Sequence, residues 1–100
     1  MVFSPEASDQ LAEIYGYIAR ASGIPDVATR YTESIVTFCE GLSAFPLRGR
    51  KRDDVRSGLR VTFFKRRVVV AYMVEHNIIS IIGVFYCGQD FESAMENTGG

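Results

Sequence analysis

One run of residues constrains the fold of this 100-residue chain more than any other. Residues 68–74 read Val-Val-Val-Ala-Tyr-Met-Val, a series without a charged position in which β-branched side chains recur. A strand with one face in water alternates polar and apolar residues, and this run does not. It is also far too short to cross a bilayer. It therefore predicts the central strand of a sheet that is covered on both faces.

Further strands are predicted on either side of this run. Residues 59–63 alternate as Leu-Arg-Val-Thr-Phe, which is typical of a half-buried strand, and a tight turn follows at 64–66. A second turn at 75–77 leads into residues 78–86, a strand interrupted by a serine and a glycine. Val2 and Phe3 predict a short edge strand. The expected arrangement is an antiparallel meander joined by the N-terminal strand.

Two amphipathic helices are predicted before the meander. The first begins after Ser4, which can cap it, with Pro5 at the first helical position, and ends near Gly23. The second runs from about 26 to 44, with Asp26 as its expected cap. Apolar residues recur at helical spacing in both: Ala7, Leu11, Ile14, Tyr15 and Ile18 in the first, and Ala28, Tyr31, Ile35, Phe38, Leu42 and Phe45 in the second. The pattern predicts an α+β fold with an N-terminal helical hairpin packed on a small antiparallel β-sheet.

The length and composition predict one domain over residues 1–100. Its parts are a helical hairpin (about 5–45), a basic loop (46–58), strands (about 59–86) and a short tail (87–100). Apolar content of 47% and charged content of 23% are typical of a soluble globular domain. The absence of a signal-like N-terminus predicts a cytoplasmic protein. Cys39 and Cys87 are expected to be reduced, with Cys39 in the core, and together with His76 they are too few for a metal site. No metal or cofactor is predicted.

The positive charge of the chain is concentrated in residues 48–67, called the basic stretch below. It contains nine of the eleven basic residues and two acids, a formal charge of +7, whereas the rest of the chain carries −8. Such a concentration is typical of a surface that meets an anionic partner. Nucleic acid, an acidic protein segment and the protein's own acids are the alternatives, and Asp53 and Asp54 can pair locally with Arg50, Arg52 or Arg56. Direct nucleic-acid binding is disfavoured by the overall charge of −1 and the acidic helices.

Several segments together resemble the ParE branch of the ParE/RelE toxin superfamily. They read FSPEA, IYGYIA, FPLRGRKRDDVRSGLR, RRVVVAYMV and IIGVFYCGQDFE, in an order that spans essentially the whole chain. The resemblance implies the toxin half of a type II toxin–antitoxin system with the hairpin-on-sheet fold. It also implies a hetero-oligomer with a ParD-like ribbon-helix-helix antitoxin, whose flexible arm folds over the toxin. Family members of the ParE type are associated with DNA gyrase, whereas RelE members cut messenger RNA on the ribosome.

The residues favour a protein that acts by contact over a RelE-like ribonuclease, which remains the alternative. RNA cleavage needs a base, an acid and cations on the phosphate. The region where RelE-like chains carry a tyrosine has Phe91 among acids, and His76 lies in a predicted turn. No catalytic residue and no membrane association are therefore predicted.

Two sets of contact residues are expected. Arginines that can pair bidentately with an acidic antitoxin arm form the first set: Arg52, Arg56, Arg60 and Arg67. Tyr86 and Phe91 are expected to contact the target. Phe85, beside them, is expected to be core.

Overall fold

The computed structural model describes residues 1–86 of the chain. Its elements are β1 (Val2–Phe3), α1 (Pro5–Ser22), α2 (Pro25–Gly41), β2 (Arg50–Lys51), β3 (Arg60–Phe64), β4 (Val68–Glu75) and β5 (Ile78–Tyr86). The helices form the predicted hairpin and pack on the sheet, so the α+β prediction is confirmed. The predicted short tail, residues 87–100, lies outside the described residues. Neither described helix is long and apolar enough to cross a membrane.

The five strands form one sheet in the order β1-β5-β4-β3-β2. The meander β3-β4-β5 is antiparallel and β4 lies at its centre, both as predicted. β1 pairs parallel with β5, so the sheet is mixed. β2 was not predicted, because residues 46–58 were expected to be a loop throughout; its two polar residues pair with Val61 and Arg60. A two-residue polar strand carries no alternation that a sequence pattern can report.

The helix ends follow the predicted signals in α1 and depart from them in α2. The Ser4 hydroxyl accepts a hydrogen bond from the Ala7 amide at 3.0 Å, and Gly23 closes α1 in a left-handed conformation with φ 70°. In α2 the N-cap is Ile24, which makes no side-chain cap. The prediction of Asp26 as the cap was therefore wrong. The helix also ends at Gly41, three residues earlier than expected.

The main core lies between the helices and one face of the sheet. Its buried members are Ala7, Ile14, Ile35, Cys39, Leu42, Val68, Val70, Tyr72, Ile79, Ile81 and Val84. Two residues that the helical spacing placed in this core, Tyr15 and Phe45, are exposed. Tyr15 lies at the margin of the α1 stripe. Phe45 follows a series of turns after Gly41, so the helical spacing no longer describes its direction.

The opposite face of the sheet carries a second, smaller cluster. Its buried members are Leu59, Val61, Ala71 and Phe85, and Val55, Val69, Met73 and Ile82 pack against them. Alternate residues of β4 therefore enter different cores, which confirms the prediction that this strand is covered on both faces. Phe85 is core, as expected. Val55 brings the loop between β2 and β3 onto this face.

Two tight hairpins join the strands of the meander. Lys65 and Arg66 have φ of 51° and 59°, and His76 and Asn77 have φ of 50° and 64°. Positive φ at both central residues suits the twist of an antiparallel hairpin. Both predicted turns are confirmed. The first turn presents Lys65 and Arg66 to solvent at the end of the sheet.

Cys39 offers a test of the core by pH. Its burial, with a smaller contribution from Glu40, raises the pKa of the thiol from 9.0 to about 12. Because the unfolded chain releases this proton first, the stability gained from the neutral thiol is fully present below pH 9 and is lost as pH rises towards 12. We expect urea unfolding to show a loss of up to about 1.4 kcal/mol per pH unit from this group. The Cys39→Ala variant should have a flatter profile over the same range, and parallel profiles would contradict the assignment.

Candidate functional site

The predicted contact residues do not form one cluster. Arg52 follows β2, Arg56 lies in the loop between β2 and β3, and Arg60 begins β3. Arg67 follows the first hairpin turn, about 14 Å or more along β3 from Arg60. Tyr86 ends β5, whereas Phe91 lies outside the described residues. The predicted contact residues therefore lie in separate surroundings.

Arg60 is turned towards its own chain. It lies opposite Tyr72 of β4, on the side of the sheet away from Leu59 and Val61, as predicted. Its Nη1 donates hydrogen bonds to the carbonyl oxygens of Leu47 at 3.2 Å and Gly49 at 2.9 Å. The guanidinium thus ties down the segment between α2 and β2. This arrangement gives Arg60 a structural role that the sequence did not indicate.

Tyr72 holds the same segment from within the core. Its side chain is fully buried, and its hydroxyl donates to the Pro46 carbonyl at 3.0 Å and accepts from the Gly49 amide at 2.9 Å. A buried tyrosine needs a partner for its hydroxyl, and here the backbone of the segment provides two. Residues 45–49, which Arg60 and Tyr72 hold by four hydrogen bonds, are called the anchored loop below.

Gly49 has no room for a side chain. A Cβ at this position would lie 2.6 Å from Tyr72 Oη and 2.9 Å from its Cε1. Neither Gly49 nor Tyr72 was singled out from the sequence. The sequence does contain one signal, which is a single tyrosine within an otherwise apolar central strand. Its buried hydroxyl needs a hydrogen-bond partner, and that partner has to come from a part of the chain that is distant in sequence.

The anchored loop presents apolar side chains to solvent. Phe45 is 67% exposed and Leu47 is 66% exposed. Arg48 is also exposed, and its guanidinium carbon lies 5.7 Å from the centre of the Phe38 ring. Arg50 and Lys51 of β2 are exposed immediately beyond the loop. This end of the molecule therefore combines apolar groups with cations.

The acids of the basic stretch are engaged locally. Arg52 Nε and Nη2 donate to the two carboxylate oxygens of Asp54 at 3.0 and 2.9 Å, and these hydrogen bonds hold the pKa of Asp54 below its ordinary value. Asp53 accepts from the Gly58 amide at 2.8 Å. The expected local pairing is thus present for Arg52. The carboxylates of Asp53 and Asp54 therefore both accept hydrogen bonds from groups that are close to them in sequence.

Arg56 lies towards the start of α1. It lines a small cavity of about 190 Å³ together with Ser4, Glu6 and Ile82. Arg56 is half-buried and shares this cavity with Glu6, a carboxylate in the first turn of α1. Arg56 and Arg52 therefore have different surroundings although they are four residues apart.

Tyr86 is part of a row of aromatic rings at the far end of the sheet. Its ring centre lies 5.3 Å from that of Tyr17 on α1 and 6.1 Å from that of Tyr31 on α2. Tyr31 in turn contacts Phe64 of β3 at 6.2 Å. The Lys65 ammonium lies 5.2 Å from the Phe64 ring centre. Tyr86 thus joins both helices to the sheet, and the Lys65 ammonium of the first hairpin turn lies over the neighbouring Tyr31 and Phe64 rings.

No group of three metal-binding side chains occurs among residues 1–86. The same residues present exposed cations, exposed apolar side chains and an internally braced loop.

Comparison with known proteins gives the family. Residues 1–91 match the family described as the ParE toxin of type II toxin–antitoxin systems, parDE. Comparison with curated protein sequences finds no match. Among solved structures, a chain of the chromosomal ParDE toxin–antitoxin system from P. aeruginosa is similar, with a TM-score of 0.72 and 21% identity over 85% of this chain and 91% of that chain. The resemblance read from the sequence is confirmed. Because the match spans nearly the whole chain, the protein belongs to the ParE toxin family of type II toxin–antitoxin systems.

Proposed function

We propose that this ParE-family toxin inhibits DNA gyrase by protein–protein contact and is neutralised by the acidic arm of a ParD-like ribbon-helix-helix antitoxin. The observation that carries the antitoxin half is the charge of the basic stretch. Its two acids are occupied by Arg52 and by the Gly58 amide, while exposed cations stand at the anchored loop, at β2 and at the first hairpin turn. A partner segment that is rich in carboxylates complements this surface.

The four arginines expected to hold the arm differ in how they would do so. Arg67 is exposed and offers a direct contact, with Lys65 and Arg66 beside it. Arg56 is half-buried near Glu6, and Arg52 presents its remaining surface beside Asp54. Arg60 contributes by holding the anchored loop in place. All four remain in the proposed antitoxin site, Arg60 by positioning the anchored loop and the other three by direct contact.

The gyrase half rests on family membership. Tyr86 remains the proposed target contact within the described residues, with Phe91 as its companion from the segment beyond them. The Tyr86 ring is packed between Tyr17 and Tyr31, so its contact with the target would involve the exposed Tyr17 as well. Action in the cytoplasm follows from this target.

One experiment separates contact from catalysis. Purified toxin is added to a gyrase supercoiling reaction and, in parallel, to a translation extract in which mRNA ends are mapped. We expect supercoiling to fall and the mRNA to stay intact, because the exposed cations and apolar side chains of the described surface suit contact with a protein. Ribosome-dependent mRNA cleavage with normal supercoiling would replace the proposal with a RelE-like ribonuclease.

A further inference from the structure

The anchored loop combines a braced backbone with apolar side chains that face water. Its backbone is braced by Tyr72 and Arg60, which together make four hydrogen bonds to it. Its apolar side chains, Phe45 and Leu47, nevertheless point outwards into water. The bracing therefore holds these two side chains out of the core in a defined position. A bound partner would not have to order this backbone, which reduces the cost of association.

The charge around the loop restricts what can cover it. Residues 45–52 read Phe-Pro-Leu-Arg-Gly-Arg-Lys-Arg, which contains four cations and no acid. The nearest acids in sequence, Asp53 and Asp54, are engaged with Gly58 and Arg52. A complementary partner must therefore bring its own carboxylates.

The apolar groups distinguish a protein partner from nucleic acid. Nucleic acid binds cationic surfaces through phosphate contacts and through stacking of bases on aromatic rings. Leu47 offers no ring, and the chain has an overall charge of −1. Aromatic side chains and arginines are enriched in protein interfaces, and the braced loop presents Phe45 close to Arg48 and Arg50.

We infer that Phe45, Leu47, Arg48, Arg50 and Lys51 form a docking surface for an extended acidic segment with apolar side chains, which the neutralising arm of the antitoxin supplies. This inference rests on the proposed antitoxin partnership and assigns that partner a place at the anchored loop and β2. The partner's apolar side chains cover Phe45 and Leu47, and its carboxylates pair with the three cations.

The test uses the antitoxin encoded beside this toxin, purified and titrated into toxin variants by calorimetry. The Phe45→Ser/Leu47→Ser double variant is expected to bind it about 10- to 100-fold more weakly, because both anchors are lost. The Arg48→Ser/Arg50→Ser variant is expected to show a flatter dependence of affinity on salt. The control is Ile24→Ser. Ile24 is also a large exposed residue (53%) but lies at the opposite end of α2, about 25 Å along the helix axis.

The outcomes separate the inference from the proposed function. If the neighbouring gene product neither binds the wild-type toxin nor relieves its toxicity, the antitoxin partnership fails. If it binds wild type and the double variant equally well, the docking inference is overturned and the partnership stands. The inference is also overturned if the double variant keeps its antitoxin affinity but loses toxicity, because the surface would then serve the target. It is equally overturned if RNA or duplex DNA binds wild type at physiological salt and the double variant no longer binds it. Thermal unfolding of each variant is measured alongside, and we expect the midpoint to stay close to that of the wild type because the substituted residues are exposed.

Discussion

Replacing Gly49 by alanine is expected to destabilise the protein by about 2–4 kcal/mol. The new methyl group would lie 2.6 Å from the hydroxyl oxygen of Tyr72, which is fully buried and cannot move without disturbing the main core. Displacement of Tyr72 would also break its hydrogen bonds with Pro46 and Gly49. For a domain of this size, the midpoint of thermal unfolding should fall by roughly 10–30 °C.

The chain contains a matched control for this substitution. Gly41 ends α2, and a Cβ there would meet no atom within 4 Å. Gly41→Ala should therefore change stability by no more than about 1 kcal/mol, in the favourable direction, because alanine has the higher helix propensity. Equal effects of the two substitutions on urea unfolding would show that the contact between Gly49 and Tyr72 does not restrict residue 49.

A double-mutant cycle identifies the atom responsible. In Tyr72→Phe the hydroxyl is absent, so the contact at 2.6 Å is removed while that to the ring carbon at 2.9 Å remains. The cost of Gly49→Ala should be smaller in this background than in the wild type. Strict additivity of the two substitutions would contradict the proposed steric conflict.

Replacing Arg60 by methionine is expected to have the next largest effect. The substitution keeps the length of the side chain but leaves the carbonyl oxygens of Leu47 and Gly49 without their charged donor. Loss of hydrogen bonds from a charged group should lower the free energy of unfolding by about 1.5–3 kcal/mol. Antitoxin affinity should fall as well, because the anchored loop is no longer braced, but the salt dependence of binding should stay close to that of the wild type.

Arg67→Met separates bracing from direct pairing. Arg67 is exposed whereas Arg60 is half-buried, so substitution of Arg67 should lower stability less than substitution of Arg60 does. The effect of Arg67→Met should appear as a flatter salt dependence of antitoxin affinity. If Arg60→Met were as stable as the wild type, the proposed bracing of the anchored loop by Arg60 would be contradicted. If both variants reduced the salt dependence of antitoxin affinity equally, Arg60 would contact the antitoxin directly, as the sequence predicted.

The exposed surface of the basic stretch differs from the surface that the sequence emphasised. The sequence predicted Arg60 as an antitoxin contact, within a strand whose alternate residues are buried. The structure uses that alternation to direct Arg60 onto the anchored loop. The anchored loop, which lies immediately before β2, carries exposed Phe45 and Leu47 on a braced backbone.

The sequence by itself determined the elements whose causes are local. Ser4 and Gly23 set the two ends of α1 through contacts within one turn of the helix. The unbroken apolar run of β4 specified a strand covered on both faces, and family membership was legible in the order of short segments. Each of these depends on neighbouring residues, so a pattern in the sequence reports it directly.

Tertiary structure decided the rest, because the deciding partners are distant in the chain. The Tyr72 hydroxyl donates to the carbonyl of Pro46, which is 26 positions away in sequence, and Arg60 donates to the carbonyl of Leu47, which is 13 positions away. β2 exists only because Arg50 and Lys51 lie in register with β3. Hydropathy reports whether a side chain prefers water, but it does not report which backbone carbonyl stands opposite after folding. The anchored loop, and with it the direction of Phe45, therefore became visible only when strand register and the end of α2 were known.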